Sequence, residues 1–348
     1  MYSYQPTPLI RLGNLFPTRQ VFAKCEFIAP SGCFKIRGAV HLLQHLNREP
    51  LTTPIVLRTK DKSPLAPQTG LTTPLAPPRG ERGGGEGGGR TRRLVVPSMG
   101  NTALGAAVGA REFGFTMTGV VPQTIRRDKD EKLRALGVNL IKIAGGGSDL
   151  IEHATRIAEE ESAYFVHPHL DPCWTDGYQA IAREIFEALP DCRSMVLPVG
   201  GGGLLMGLTQ YLLSHPRPIT LVGCEPYNYP TYAPFDHERS RTIADGLMLE
   251  KPHPLVQERI KATKFAIELI PEADIRRSLR DLYTAQALVV EPSSAITTAF
   301  VHRHPDRLQE PICVILTGEN IARDDFFGLI QESDPMPAKM GGQRIAGK

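Results

Sequence analysis

Ser194-Met195-Val196-Leu197-Pro198-Val199-Gly200-Gly201-Gly202-Gly203-Leu204 is the stretch on which the fold turns. An apolar run short enough for a buried strand leads straight into four consecutive glycines and then into a helical pattern. Glycines let the backbone curl until several N–H groups face one anion, and the dipole of the following helix favours the same charge. The segment therefore reads as a phosphate cradle between a strand and a helix. It is not a Walker loop, because no Gly-Lys-Ser/Thr follows. It does imitate a dinucleotide fingerprint, with Gly201, Gly203 and Gly207 spaced GxGxxxG and Glu225 ending the next strand. A tight strand–helix turn with no ligand is the plainer alternative, although four glycines carry an entropic cost that a plain turn need not incur.

Outward from this loop, strand and helix patterns alternate. Leu94–Val96, Met117–Val121, Val138–Ile143, Ser194–Val199, Ile219–Cys224 and Ile312–Leu316 read as strands. Helices are expected over Thr102–Phe113, from a cap at Thr124 to Leu136, from a cap at Ser148 to about Ser162, and over Trp174–Leu189, Gly202–Leu213, 272–286 and 293–303. This order predicts an α/β protein with parallel-rich sheets flanked by helices. Ligands in such folds sit where strand ends lead into helices, and the loops 97–102, 199–203 and 317–320 meet that description.

The bulk composition narrows the function classes. Forty Lys and Arg against 37 acids leave a net charge of +3, which is no footprint for nucleic acid or membrane. No apolar run approaches the roughly 18 residues of a transmembrane helix, and the N-terminus has no signal-peptide pattern. The six cysteines are scattered without metal-like pairs, which suits reduced thiols in a cytoplasmic protein. One segment stands apart: from about 58 to 93, short Pro-rich repeats run into a Gly-rich tract. It is expected to be a flexible low-complexity insertion, unstructured or serving as a lid.

Three further stretches carry chemistry. Ser31-Gly32-Cys33-Phe34-Lys35-Ile36-Arg37-Gly38-Ala39 places a lysine between apolar neighbours. Alone it reads as a solvated charge, but beside a phosphate site a desolvated lysine can form an imine. Pro97-Ser98-Met99-Gly100-Asn101-Thr102 offers hydroxyl, amide and backbone N–H groups to a carboxylate, or simply caps a helix. Thr317-Gly318-Glu319-Asn320 follows a strand in the same way. His167, His169, His302 and His304 lack the helical spacing of a zinc motif and suggest surface or packing roles.

Taken together and in this order, these stretches resemble the tryptophan-synthase-like group of pyridoxal-phosphate (PLP) enzymes, fold type II, and most closely the serine/threonine dehydratases and serine racemases. Pro6-Thr7-Pro8-Leu9, Thr242-Ile243-Ala244-Asp245-Gly246 and Glu291-Pro292-Ser293-Ser294-Ala295 add to the likeness, which spans roughly Pro6 to Phe327. The resemblance implies a small domain (41–145) inserted in a large PLP-binding domain (1–40 and 146–330), with a flexible tail at 331–348. It implies that Lys35 holds PLP as a Schiff base and moves the substrate's Cα proton. Gly200, Gly201, Gly202 and Gly203 would hold the phosphate, Asn101 the ring oxygen and Thr317 the pyridine nitrogen. Ser98, Gly100, Asn101 and Thr102 would receive the carboxylate of a small amino acid, and a homodimer is the implied assembly.

The implied reaction is β-elimination from serine, threonine or a related hydroxy-amino acid, giving a 2-oxo acid and ammonia. Met99 and Thr102 depart from the dehydratase pattern, and Asn101-Thr102 is more typical of threonine-synthase-like and cysteine-synthase-like β- or γ-replacement enzymes. Gly177-Tyr178-Gln179 departs from the dehydratase pattern as well. Replacement, a non-catalytic binding protein and a nucleotide oxidoreductase therefore stay as alternatives. Glu225 resembles a divalent-cation ligand of racemase relatives, but Thr231 stands where the second carboxylate would be, so no metal is expected.

Overall fold

Ser194–Pro198 is buried at every position, as a strand covered on both faces must be. In this computed structural model, which describes residues 5–48, 92–98, 100–167, 169–263 and 265–331, it lies inside a six-stranded sheet. The strands in chain order are β1 (Leu9–Arg11), β2 (Val21–Cys25), β3 (Arg93–Pro97), β4 (Thr116–Pro122) and β5 (Asn139–Ile143), then β6 (Tyr164–Phe165), β7 (Ser194–Pro198), β8 (Thr220–Pro226), β9 (Ala266–Ile270) and β10 (Ile312–Leu316). The larger sheet has the order β1-β2-β10-β7-β8-β9 and the smaller β5-β4-β3-β6. Every pairing is parallel except β1 with β2. Most of the expected insertion, Met99 and nearly all of the expected tail lie outside the described residues.

Strand periodicity assigns each side chain a layer. Along β7, Met195 and Leu197 join a core with Ile181, Ile185, Leu205 and Leu208, whereas Val196 joins another with Ile296 and Phe300. Cys313 and Ile315 of β10 share the first core, and Ile312, Val314 and Leu316 the second. The smaller sheet repeats the scheme. Leu94 and Val96 pack with helices Lys35–Arg48 and Asn101–Phe113, and Val95 packs with helix Gly147–Glu160. One core thus runs from the larger sheet to the smaller, with those first two helices at the join.

The structure differs from the sequence reading in places with identifiable causes. The charged helix starts at Arg127 after an Arg126 cap rather than at Thr124, and the next starts at Gly147, with Asp149 accepting the Gly146 N–H at 2.8 Å, rather than from Ser148. The helix expected over Trp174–Leu189 is two, Pro172–Asp176 and Gln179–Ala188. Between them the chain passes so near another backbone that a Cβ on Gly177 would lie 2.4 Å from the Arg37 carbonyl oxygen. Strand β2 escaped the pattern because Lys24 interrupts it; its buried ammonium reaches Glu184 at 2.6 Å and the Thr7 carbonyl at 2.5 Å. Strand β6 extends the smaller sheet past residue 145, where the sequence places the end of the smaller unit.

Candidate active site

Lys35 is the first residue of helix Lys35–Arg48, and three contacts fix that helix start. The Phe34 N–H donates to the Thr317 carbonyl at 2.9 Å, Cys33 forms a bridge with Gly318, and Gly105 lets the neighbouring helix approach, since a Cβ there would lie 2.8 Å from Lys35. Two residues on, Arg37 is 4 % exposed and is no solvated charge. Its guanidinium bonds Glu26 at 2.6 and 2.8 Å and Glu184 at 2.5 and 2.7 Å. Burial alone would lower its pKa, but the Glu26 and Glu184 carboxylates outweigh burial and hold it raised. The lysine side chain itself runs between two aromatic walls, its Nζ 4.8 Å from the Phe34 ring centroid and 5.9 Å from that of Tyr178. Desolvation pulls its pKa down to about 8 against the opposing pull of Cys33 and Glu291.

Loops from both sheets converge beside this lysine. Asn101 Nδ2 donates to both oxygens of Glu291 at 2.9 and 3.0 Å, and its Oδ1 accepts from Asn320 Nδ2 at 3.1 Å. Thr317 is buried, with its Oγ1 3.2 Å from Ser294 Oγ. Ser98 Oγ accepts from the Gly100 and Ala103 N–H groups at 3.0 and 3.1 Å, so Ser98 ties down the first turn of helix Asn101–Phe113. Thr102 is buried in that turn. Gly100 has a φ of +154° and its missing Cβ is filled by Lys129, whose Nζ would lie 2.9 Å from it. A polar cavity of about 370 Å³ lined by Asp245, Glu291 and Asn320 opens beside these groups.

The glycine loop closes another side. Gly202 has a φ of +87°, and a Cβ there would lie 2.6 Å from Val256, so only glycine fits. A Cβ on Gly200 would lie 3.0 Å from Leu247, one on Gly201 2.1 Å from His169 Nδ1, and one on Gly203 3.4 Å from Tyr178. The loop therefore reaches the lysine through Tyr178. It reaches helix Pro292–Arg303 through Gly246, which packs on Ser293.

Several groups here carry no signal that sequence alone reveals. Lys129 sits in a run of charges that reads as a solvated helix face, yet it is 5 % exposed, and its nearest recorded acid is Asp245 at 4.0 Å. Tyr178, Ser294 and Asn320 belong to quoted motifs but gain a role only from tertiary contact. Glu225 is the reverse case. Its carboxylate accepts the backbone N–H groups of Thr231, Tyr232 and Ala233 at 3.0–3.1 Å. That use accounts for the residue without a nucleotide ribose or a cation. Among the described residues no His, Cys, Asp or Glu cluster has a metal-site arrangement, and no disulfide joins the six cysteines.

Comparison with known proteins identifies the family. A family described as pyridoxal-phosphate dependent enzyme matches residues 1–318. L-threonine ammonia-lyase of Thermotoga maritima is 29% identical over 309 residues, covering 87% of this chain and 67% of the relative. A catabolic L-threonine dehydratase of Staphylococcus aureus is 25% identical over 305 residues, covering 85% and 77%. Among solved structures, maize serine racemase superposes with a TM-score of 0.74 at 20% identity, covering 93% of this chain and 91% of that one. Threonine deaminase isoform 2 of Solanum lycopersicum gives 0.74 at 20%, covering 93% and 82%; both structural likenesses speak to the fold. With the match spanning most of the chain and both sheets, the protein is a member of the pyridoxal-phosphate dependent enzyme family.

Proposed function

We propose that this chain is a PLP-dependent lyase that eliminates the β-substituent of serine, threonine or a close analogue. The observation that carries the reading is the Lys35 amine: desolvated, walled by Phe34 and Tyr178, and set between the glycine loop and the Asn101–Thr317 cluster. The residues present fit the cofactor. Gly202 takes the glycine loop through the left-handed region at the N-terminus of helix Gly203–Ser214, where backbone N–H groups suit an anion. Among the described residues at least two buried polar atoms around it, His169 Nδ1 and Ser293 Oγ, have no hydrogen-bond partner. When bound, PLP supplies an electron sink that weakens the bonds to the substrate's Cα.

The chain's own residues do the rest. Lys35 Nζ would hold the cofactor's aldehyde carbon and, once the substrate's amine has taken its place there, would be free to carry the Cα proton. Gly200, Gly201, Gly202 and Gly203 would hold the phosphate with backbone N–H groups. Asn101, steadied by Glu291 and Asn320, would meet the ring oxygen. Thr317, paired with Ser294, would meet the ring nitrogen with a neutral hydroxyl. A neutral partner there would limit negative charge build-up and so favour prompt loss of the β-substituent. Ser98, Gly100, Asn101 and Thr102 receive the α-carboxylate, with the Lys129 ammonium behind Gly100 as its counter-charge. The threonine ammonia-lyase and threonine dehydratase relatives support elimination. β- or γ-Replacement is the second reading, favoured by the Asn101-Thr102 pair.

The test is a coupled assay of the purified chain with L-serine or L-threonine alone. Formation of 2-oxo acid and ammonia is expected. Turnover seen only with an added nucleophile or an activated substrate would transfer the assignment to replacement. A small amino-acid substrate, a cytoplasmic location and a homodimer complete the proposal. Among the described residues no helix is long and apolar enough to cross a membrane.

A further inference from the structure

Among the described residues His169 is the histidine that packs against the glycine loop, and the proposed function gives it no task. The turn that carries it is held on both sides. The N–H groups of His169 and Leu170 both donate to His167 Nδ1, at 3.3 and 3.2 Å. Immediately after it, Asp171 accepts from the Trp174 N–H at 3.0 Å and from the Tyr164 hydroxyl at 2.8 Å. On this turn the imidazole lies over Gly201, where an added Cβ would sit 2.1 Å from Nδ1 and 2.2 Å from the next ring carbon. The His169 carbonyl faces Gly203 in the same way, at 3.1 Å. The glycines at 201 and 203 thus make room for this residue.

His169 Nδ1 is buried and has no hydrogen-bond partner among the described residues. A polar atom buried without a partner is costly, and native structures reserve such atoms for a ligand, an ion or a water. Burial, and then the charge of Lys35 with lesser effects of His167 and His253, holds the imidazole well below its ordinary pKa. It is therefore a neutral ring with one N–H to give.

We propose that His169 is a ligand of the cofactor's phosphate, donating its Nδ1–H to an oxygen that the Gly200–Gly203 backbone also holds. The proposal rests on the PLP-site reading above and adds a side chain to a cradle otherwise made of backbone. It commits the imidazole to the phosphate rather than to the ring, because the unpaired nitrogen lies over Gly201.

The test compares PLP with pyridoxal, the same aldehyde without its phosphate, in titrations of cofactor-stripped wild type, H169F and H169N. For H169F the affinity for PLP is expected to fall about 10- to 100-fold, as for loss of one hydrogen bond to a charged group. Affinity for pyridoxal should change no more than about twofold on the same physical ground. H169N, which keeps a donor near the Nδ1 position, should recover most of the loss. In wild type labelled with 15N-histidine, PLP should shift the His169 Nδ1 resonance and pyridoxal should not; this readout stands even if H169F does not fold. Equal losses for both ligands, no loss, or an Nδ1 signal indifferent to PLP would overturn the proposal. If wild-type protein binds PLP nowhere near Lys35, the cofactor-site reading itself fails, a separate result visible before any variant is made.

Discussion

Arg37→Met separates the buried ion cluster from the chemistry it supports. In the native chain two carboxylates, Glu26 and Glu184, face two cations, Arg37 and Lys24, so the cluster is neutral. Methionine fills similar volume but leaves Glu26 with the Thr7 hydroxyl at 2.6 Å and Glu184 with Lys24 at 2.6 Å. One negative charge is then uncompensated, where Glu26 is 0 % and Glu184 8 % exposed. Stranding a buried charge costs about 3–5 kcal/mol, or roughly two to nearly four powers of ten in the folding constant. That is a large share of the roughly 5–15 kcal/mol that holds an ordinary domain together.

The assay is equilibrium urea unfolding followed by the fluorescence of Trp174, the single tryptophan, which is buried and bonded to the Tyr178 hydroxyl at 2.5 Å. Burial raises the Glu184 pKa, but the bonds from Arg37 and Lys24 outweigh it and leave the folded value depressed. Its stabilising contribution is therefore complete above the unfolded carboxylate pKa, about 4.3 for Glu, and is lost as pH falls through the folded value. The deficit of Arg37→Met should be full at pH 7 and smaller in the acid range, and a second change, Glu26→Gln, should recover part of it. A loss under about 1 kcal/mol at pH 7 would refute the reasoning, since that is the scale of an exposed ion pair.

Lys129→Met should lower kcat/KM for the amino acid by about 10- to 100-fold, mainly through KM, with cofactor loading unchanged; steady-state kinetics and the cofactor absorbance check it together. Dialysis against a chelator should leave both activity and melting temperature unaltered, because Glu225 already serves three backbone N–H groups. Glu225→Gln should in turn cost about 1–3 kcal/mol in urea unfolding. Capture of PLP by the cofactor-free protein needs the unprotonated amine. Its rate should rise with pH and level off above about 8, where Lys35 loses its proton, whereas an ordinary lysine would keep gaining rate towards about 10.4.

The parts legible in the sequence are those set by local pattern. Strands β3, β4, β7, β8 and β10 stand out as apolar runs ended by Gly or Pro, and the helix stops at Gly114 and Gly137 follow from their positive φ of 70° and 80°. The loops 97–102, 199–203 and 317–320 could be named because each follows such a strand. Illegible from the chain alone were the groups whose character changes on burial. Arg37, Lys24 and Lys129 look like surface charges until their distant partners appear. His169 gave no signal because its task depends on Gly201, more than thirty residues away in sequence. The caps at Gly146 and Arg126 escaped for a different reason, since Ser148 and Thr124 have the better local chemistry and the chain geometry overrode it.

Borohydride reduction of the PLP-loaded protein, followed by peptide mass spectrometry, tests the central assignment most directly. The pyridoxyl mass should map to the peptide containing Lys35, and Lys35→Ala should carry none while keeping its fold. A pyridoxyl group on any other lysine, or a wild-type protein that stays colourless with PLP, would contradict the account.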